Sequence, residues 1–386
     1  MKRKTAFIFG GGKTGLGFAA HLAHLSGYRI TVVDRDGERV ERLKKEGGFR
    51  VVVTGNPGMD AEIIPDGVFR VDSGEWHRPF QEAGIAFTAV FGNNLPGLAK
   101  QLAEALEKRR RDAPGAFLNI ITCENLTNAA SLLQDSVLSL TAAETGKWIG
   151  DRIGFVEGMV LKTCMEGNER EGKITIVAQN LFDLPCDAEA FRGNIPGVRG
   201  LKPMAGFQNQ LRRKIYTYNC INAVMTYLGA AKGYAMLYEA AEDEEIMRVA
   251  RLAATESSGA LVAEYGYDPA EQAAWADAAM DKFTDRSLED PIERNGADPR
   301  RKLSRDDRLT GPALLALKHG IHPEGIISGI HAALVFADGK LNGSLLDQFG
   351  EENMEKLLEE VMGLEPDEAL YRVLLNHYLK QDGTSG

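Results

Sequence analysis

The 386-residue chain predicts an α/β protein whose second half is mostly α-helical. Three observations carry this reading. Short apolar, strand-like runs fill the first half, spaced as in a parallel sheet with crossover helices. A glycine-rich turn joins the first of those runs to a helix. Beyond about residue 200 the apolar spacing becomes helical. The length suits two domains, expected at residues 1–196 and 197–386. The stretch Phe182 to Pro203 contains Gly193, Pro196, Gly197, Gly200 and Pro203, so it is expected to be the linker.

Thr5 to Phe9 reads as a short buried strand, followed at once by Gly10-Gly11-Gly12-Lys13-Thr14-Gly15 and a helix over Leu16 to Leu25. A second strand, Tyr28 to Val33, ends on Asp34. The unit is a Rossmann-type dinucleotide site: glycines at 10, 12 and 15 serve a tight turn, close approach to a pyrophosphate, and close helix–strand packing. Lys13 and Thr14 lie inside the same loop. Asp34 stands 19 residues after Gly15. A carboxylate there accepts from the ribose hydroxyls and repels a 2′-phosphate, which points to NAD, although Arg35 beside it tempers that preference. A phosphate-binding loop of the nucleotide triphosphatase kind is excluded, because it needs glycine where Phe7 stands. Further strands are expected at Phe49 to Thr54, Gly67 to Val71, Ile85 to Phe91 and Ala116 to Thr122. Val90, Asn93, Asn94, Glu124 and Asn125 follow the last two, where an open parallel sheet places its ligands. Their other reading is as helix caps and turn residues.

In the second half, Ile215 to Ala241, Glu244 to Tyr265, Pro269 to Phe283, Pro312 to His319, Glu324 to Asp338 and Glu351 to Met362 read as helices. Gln381 to Gly386 is expected to be disordered. The stretch Arg213 to Ala223, which leads into the first of these helices and is itself helical in character, carries Lys214, Asn219 and Asn222 within an apolar run. At about 100° per residue these fall at roughly 0°, 140° and 80°, so one side presents an ammonium and two carboxamides. Such a set suits a hydroxyl or carbonyl that gains or loses a proton; the competing reading is a solvated helix edge. The loop Asp298 to Leu309 is locally basic, and Arg301 and Lys302 are its candidates for a substrate phosphate or carboxylate. The alternative is internal pairing with Asp298, Asp306 and Asp307.

A net charge of −10 argues against general binding to nucleic acid or to an anionic membrane. Four widely spaced cysteines show no Cys-x-x-Cys, hence no zinc signature and no disulfide framework, and a reducing cytoplasm is expected. No apolar stretch reaches spanning length, and the run after Met1 to Lys4 is too short for a signal peptide. The expected partner is a small molecule, and the expected state is a monomer or homodimer.

Several dispersed segments resemble the polyol-specific long-chain dehydrogenases, in order along nearly the whole chain. These are the glycine loop with Gly17-Phe18, Cys123-Glu124-Asn125, Ile153-Gly154-Phe155-Val156-Glu157, and Asp298 to Leu303 with Asp307-Arg308-Leu309 and Pro312. The resemblance implies metal-free, NAD-dependent interconversion of a polyol or polyol phosphate and the matching ketone. Within the family, the mannitol-phosphate branch fits best, making mannitol 1-phosphate and fructose 6-phosphate the expected pair. It implies Lys214 as general base and Asn219 as the donor to the developing alkoxide. Glu157 is implied near the substrate. The family pattern has histidine eight residues after the lysine, and this chain has Asn222 there. Met159 to Thr163 also departs, standing where the family has Val-Asp-Arg-Ile.

Overall fold

The computed structural model describes residues 4–126, 128–167, 172–286, 289–339, 343–350 and 353–382. The chain divides into two compact units, Met1–Gln208 and Asn209–Gly386. The strands are β1 (Thr5–Phe9), β2 (Arg29–Asp34), β3 (Phe49–Val53), β4 (Ala61–Ile63), β5 (Gly67–Arg70), β6 (Ile85–Thr88), β7 (Leu118–Thr122), β8 (Ile153–Glu157), β9 (Cys164–Glu166), β10 (Ile174–Ala178), β11 (Leu184–Asp187) and β12 (Leu201–Met204).

The first unit is built on a six-stranded sheet in the order β5-β2-β1-β6-β7-β8, with its neighbouring strands parallel. Parallel strands covered on both faces read as mostly apolar runs; β1, β6, β7 and β8 are buried along their whole length, and the few polar residues among them, Asn119 and Glu157 included, are buried too. The strand order reverses between β1 and β6, which opens a crevice beyond their carboxyl ends. Gly10 to Gly15 and the loop after β6 lie there.

One expectation is met with an added detail in this unit, and one is corrected. The Phe49 to Thr54 strand forms, but as β3 it joins a second, mixed sheet of order β4-β3-β10-β9. Its alternating burial shows one face packed and one partly open, unlike the central parallel strands. The Phe182 to Pro203 stretch is no free linker. It forms the parallel pair β11–β12, and Phe182, Phe191, Val198 and Leu201 pack on the core of the first unit.

The second unit is helical in its described residues. Helices Glu244–Tyr265 and Pro269–Phe283 fall where the periodicity predicts them. Asp243 and Asp268 accept from first-turn amides, and Gly266 ends the first of these helices at φ 67°. The single helix expected over Ile215 to Ala241 is instead divided. Helix Phe207–Lys214 passes into a π turn, Ile215–Asn219, then into helices Cys220–Ala231 and Leu237–Glu242. Of the expected C-terminal helices, Thr310–Lys318, Glu324–Leu334 and Met354–Glu360 form; residues 351–352 lie outside the described residues. Of the tail expected to be disordered, Gln381 and Asp382 end the helix Ala369–Asp382, and residues 383–386 lie outside the described residues.

Candidate active site

The glycine loop of the first unit has a separate physical reason at each of its three positions. Gly10 sits at φ 102°, and a Cβ there would lie 2.2 Å from the Ala89 carbonyl oxygen. A Cβ on Gly15 would lie 1.9 Å from the Gly10 oxygen. Around Gly12 no heavy atom comes within 4 Å of such a Cβ, so the space a pyrophosphate needs is open. Lys13 and Thr14, both half-buried, begin the helix that follows the loop, and a helix N-terminus suits an anion. Gly17, noted only as a point of resemblance, has a packing reason: its Cβ would lie 2.5 Å from Ile176 of β10.

Asp34 closes the loop from the end of β2. One carboxylate oxygen accepts from Gly11 N, and the other takes Asp36 N at 2.8 Å. A carboxylate offers about four lone-pair sites, so acceptor capacity remains for ribose hydroxyls. Glu124 is buried and takes Val90 N at 2.9 Å; burial pushes its carboxyl above the usual range. Asn93 is exposed, and Asn94 is half-buried. Glu157 accepts from Ala129 N and Ala130 N, at 3.1 and 2.8 Å, at the start of helix Ala129–Ser139. Burial pushes the Glu157 carboxyl up to about 7 against those two donors. Glu124 and Glu157 thus brace backbone as well as lying at the carboxyl ends of β7 and β8.

In the second unit, Lys214 ends helix Phe207–Lys214 and is only 9% exposed. Burial pushes its ammonium down to about 7, and Arg308, Lys282 and Arg301 add repulsion that Asp307 partly offsets. The two arginines next to Lys214 in sequence are turned elsewhere. Arg212 donates to the Tyr265 hydroxyl, and Arg213 is held by Gln272 and Glu271 between the Tyr267 and Trp275 rings.

The π turn after Lys214 alters the helical wheel. It holds one more residue per turn than an α-helix, which rotates Asn219 back toward the Lys214 side from its ideal offset. Asn219 is 8% exposed, and its Nδ2 has no hydrogen-bond partner. A buried amide donor left unpaired is costly, and a ligand oxygen would satisfy it. The turn itself is held from outside. Ser257 Oγ donates to Tyr216 O, and Gln272 Nε2 donates to Thr217 Oγ1 at 2.9 Å. Asn222 is half-buried, and its Nδ2 reaches Asn295 Oδ1 at 3.4 Å.

The basic loop is more internally paired than expected. Arg301 bridges Asp298 at 2.9 Å and Asp307 at 3.1 Å. Lys302 is 5% exposed, donates to Asn295 O, and is pushed by burial down to about 7. Arg305 pairs with Glu368, and Arg308 with Asp307. Ser257, Gln272, Lys282, Asn295 and Arg308 were not singled out as site residues in the sequence, because their only link to Lys214 and its turn is spatial. A Ser or Gln inside an amphipathic helix carries no local sign of the carbonyl or hydroxyl it will meet.

Two family models match the chain: the mannitol dehydrogenase Rossmann domain over residues 4–191 and the mannitol dehydrogenase C-terminal domain over residues 208–372. Mannitol-1-phosphate 5-dehydrogenase of Bacillus subtilis (strain 168) is 31% identical over 377 residues, covering 96% of this chain and 98% of that protein. The fold matches Pseudomonas fluorescens mannitol 2-dehydrogenase, solved as a ternary complex with NAD and D-mannitol, with TM-score 0.74 at 14% identity over 100% of this chain and 92% of that one. It also matches a substrate-free D-sorbitol dehydrogenase with TM-score 0.74 at 16% identity, over 98% and 91% of the two chains.

Proposed function

The chain belongs to the mannitol dehydrogenase family, and from that premise we propose that it is an NAD-dependent dehydrogenase of a polyol phosphate. The pair we favour is mannitol 1-phosphate, which the name of the 31%-identical relative contains, and the ketone matching it, fructose 6-phosphate. One observation carries the mechanism: a buried lysine, lowered to about 7, stands one π turn from a buried carboxamide whose donor is unpaired.

In polyol oxidation the neutral Lys214 Nζ accepts the hydroxyl proton as hydride leaves the carbon. Asn219 Nδ2 donates to the alkoxide that develops. In ketone reduction the ammonium returns the proton. Bound NAD supplies the hydride acceptor. Gly10, Gly12, Lys13, Thr14, Gly15 and Asp34 are the residues that fit it, with Val90, Asn93, Glu124 and Asn125 framing the crevice. Asn222, held toward Asn295, orients a substrate hydroxyl and cannot relay a proton as histidine does. Glu157 lies at the end of β8 as a candidate for a polyol hydroxyl.

A second reading, a non-phosphorylated polyol or hexuronate, is favoured by the internal pairing of Arg301 and the burial of Lys302. The test follows NADH absorbance with fructose 6-phosphate, fructose and hexuronates side by side. Turnover with fructose 6-phosphate at least about ten-fold above the others in kcat/KM supports the phosphate reading; preference for fructose or a hexuronate replaces it.

A further inference from the structure

Phe91 stands out in the loop after β6. Its backbone lies at φ 65°, ψ 138°, outside even the left-handed helical well and in a region that bulky L residues avoid. The other described non-glycine residues at positive φ are an asparagine and an aspartate, Asn128 and Asp298, whose side chains tolerate it. The Phe91 ring is also 81% exposed, so burial gives the fold nothing in return for the strain. Glycine at this position would relieve it.

The loop is held firmly in this shape. The buried Glu124 carboxylate accepts from Val90 N at 2.9 Å and also from Phe91 N. Asn94 Nδ2 donates to Val90 O at 2.5 Å, and Asn94 N donates to Phe91 O at 2.9 Å. Asn94 Oδ1 accepts from Arg35 Nη1 at 2.6 Å. Arg35 follows Asp34 at the end of β2, so Asn94 ties the loop to the ribose side of the crevice. Gly10, whose Cβ would abut Ala89 O, lies against the start of the same loop.

An aromatic face and a guanidinium plane are the two surfaces on which purines stack. We propose that Phe91 is a cofactor-binding residue, its ring the platform for the adenine of the dinucleotide, with the Asn94-tethered Arg35 closing the same slot. The proposal rests on the dinucleotide reading of the first unit. It assigns Phe91 to the adenosine half and not to the nicotinamide, because the tether runs to the strand that carries Asp34.

The test measures binding by calorimetry to NADH, ADP-ribose and reduced nicotinamide mononucleotide. Phe91→Gly should weaken NADH and ADP-ribose about ten-fold, leave the mononucleotide unchanged, and melt no lower than wild type. Phe91→Trp should keep wild-type affinity for NADH and ADP-ribose. Unchanged ADP-ribose binding in Phe91→Gly, or equal loss for the mononucleotide, overturns the assignment while leaving the dinucleotide reading intact. A wild-type protein that binds neither NADH nor ADP-ribose overturns both.

Discussion

A lysine that is buried and lowered to about 7 is suited to proton transfer near neutrality, and unsuited to stabilising a fold. Lys214→Ala is expected to lower turnover by at least about 10²-fold while the NADH dissociation constant stays within about two-fold, as read by steady-state kinetics and fluorescence titration. The pH dependence has a fixed sign. Polyol oxidation needs neutral Lys214, so its kcat/KM should rise through about pH 7 and level off above it. Ketone reduction needs the ammonium and should decline over the same range. A flat oxidation profile between pH 6 and pH 9, with chemistry rate-limiting, removes Lys214 as the titrating group. Asn219→Ala should lower kcat in both directions by about 10²-fold, the usual loss of one donor to an oxyanion. Asn219→Asp should be no better, since its carboxylate repels the alkoxide.

At the scale of elements, the π turn Ile215–Asn219 is the feature that no helical periodicity announces. An isolated segment of this composition would favour a continuous α-helix, because the wider turn breaks the regular backbone bonds. It forms here because Ser257 and Gln272, both buried on neighbouring helices, bond groups within it. Ser257→Ala leaves the Tyr216 carbonyl without that donor in a dry site. The expected cost is about 1–3 kcal/mol in urea unfolding, together with a fall in kcat larger than the change in KM as Lys214 and Asn219 lose their spacing. Wild-type kcat in that variant would mean that the turn is held by other contacts. The glycine loop is the opposite case. Its function is local, and a Gly-x-Gly-x-x-Gly between a strand and a helix shows in sequence as clearly as in structure. Gly15→Ala places a methyl group 1.9 Å from the Gly10 oxygen and should abolish NADH binding before it unfolds the protein.

For the whole molecule, cofactor and pH both act through linkage. A ligand that binds only the native state raises the melting temperature with its saturation, so NADH should stabilise the protein more than NADPH at equal concentration, by calorimetry. The reverse order would overturn the role given to Asp34. Lys214 is charged in the unfolded chain up to about its ordinary 10.5, and loses its proton near 7 when folded. Between those values the unfolded state binds more protons, so this group's contribution to stability rises with pH over that window. Relative to Lys214→Met, the wild type should therefore gain in urea midpoint from pH 7 to pH 9. What could be seen in the chain alone were features carried by neighbours in sequence. These include the β-turn-α-β unit ending on Asp34, the helices Glu244–Tyr265 and Pro269–Phe283, and the positions of Lys214 and Asn219 as a candidate pair. The pairing of β3 with a strand more than 100 residues later was hidden, as was the docking of Phe182 to Pro203 on the core. The sequence left open whether Arg301 faces a ligand or its own aspartates, and only the fold decided for the pair of aspartates; the cations that lower Lys214 were hidden outright. Each of these depends on which distant groups share a dry environment. Charge, burial and hydrogen-bond partners act over a few ångströms in space, and distance along the chain gives no measure of that separation.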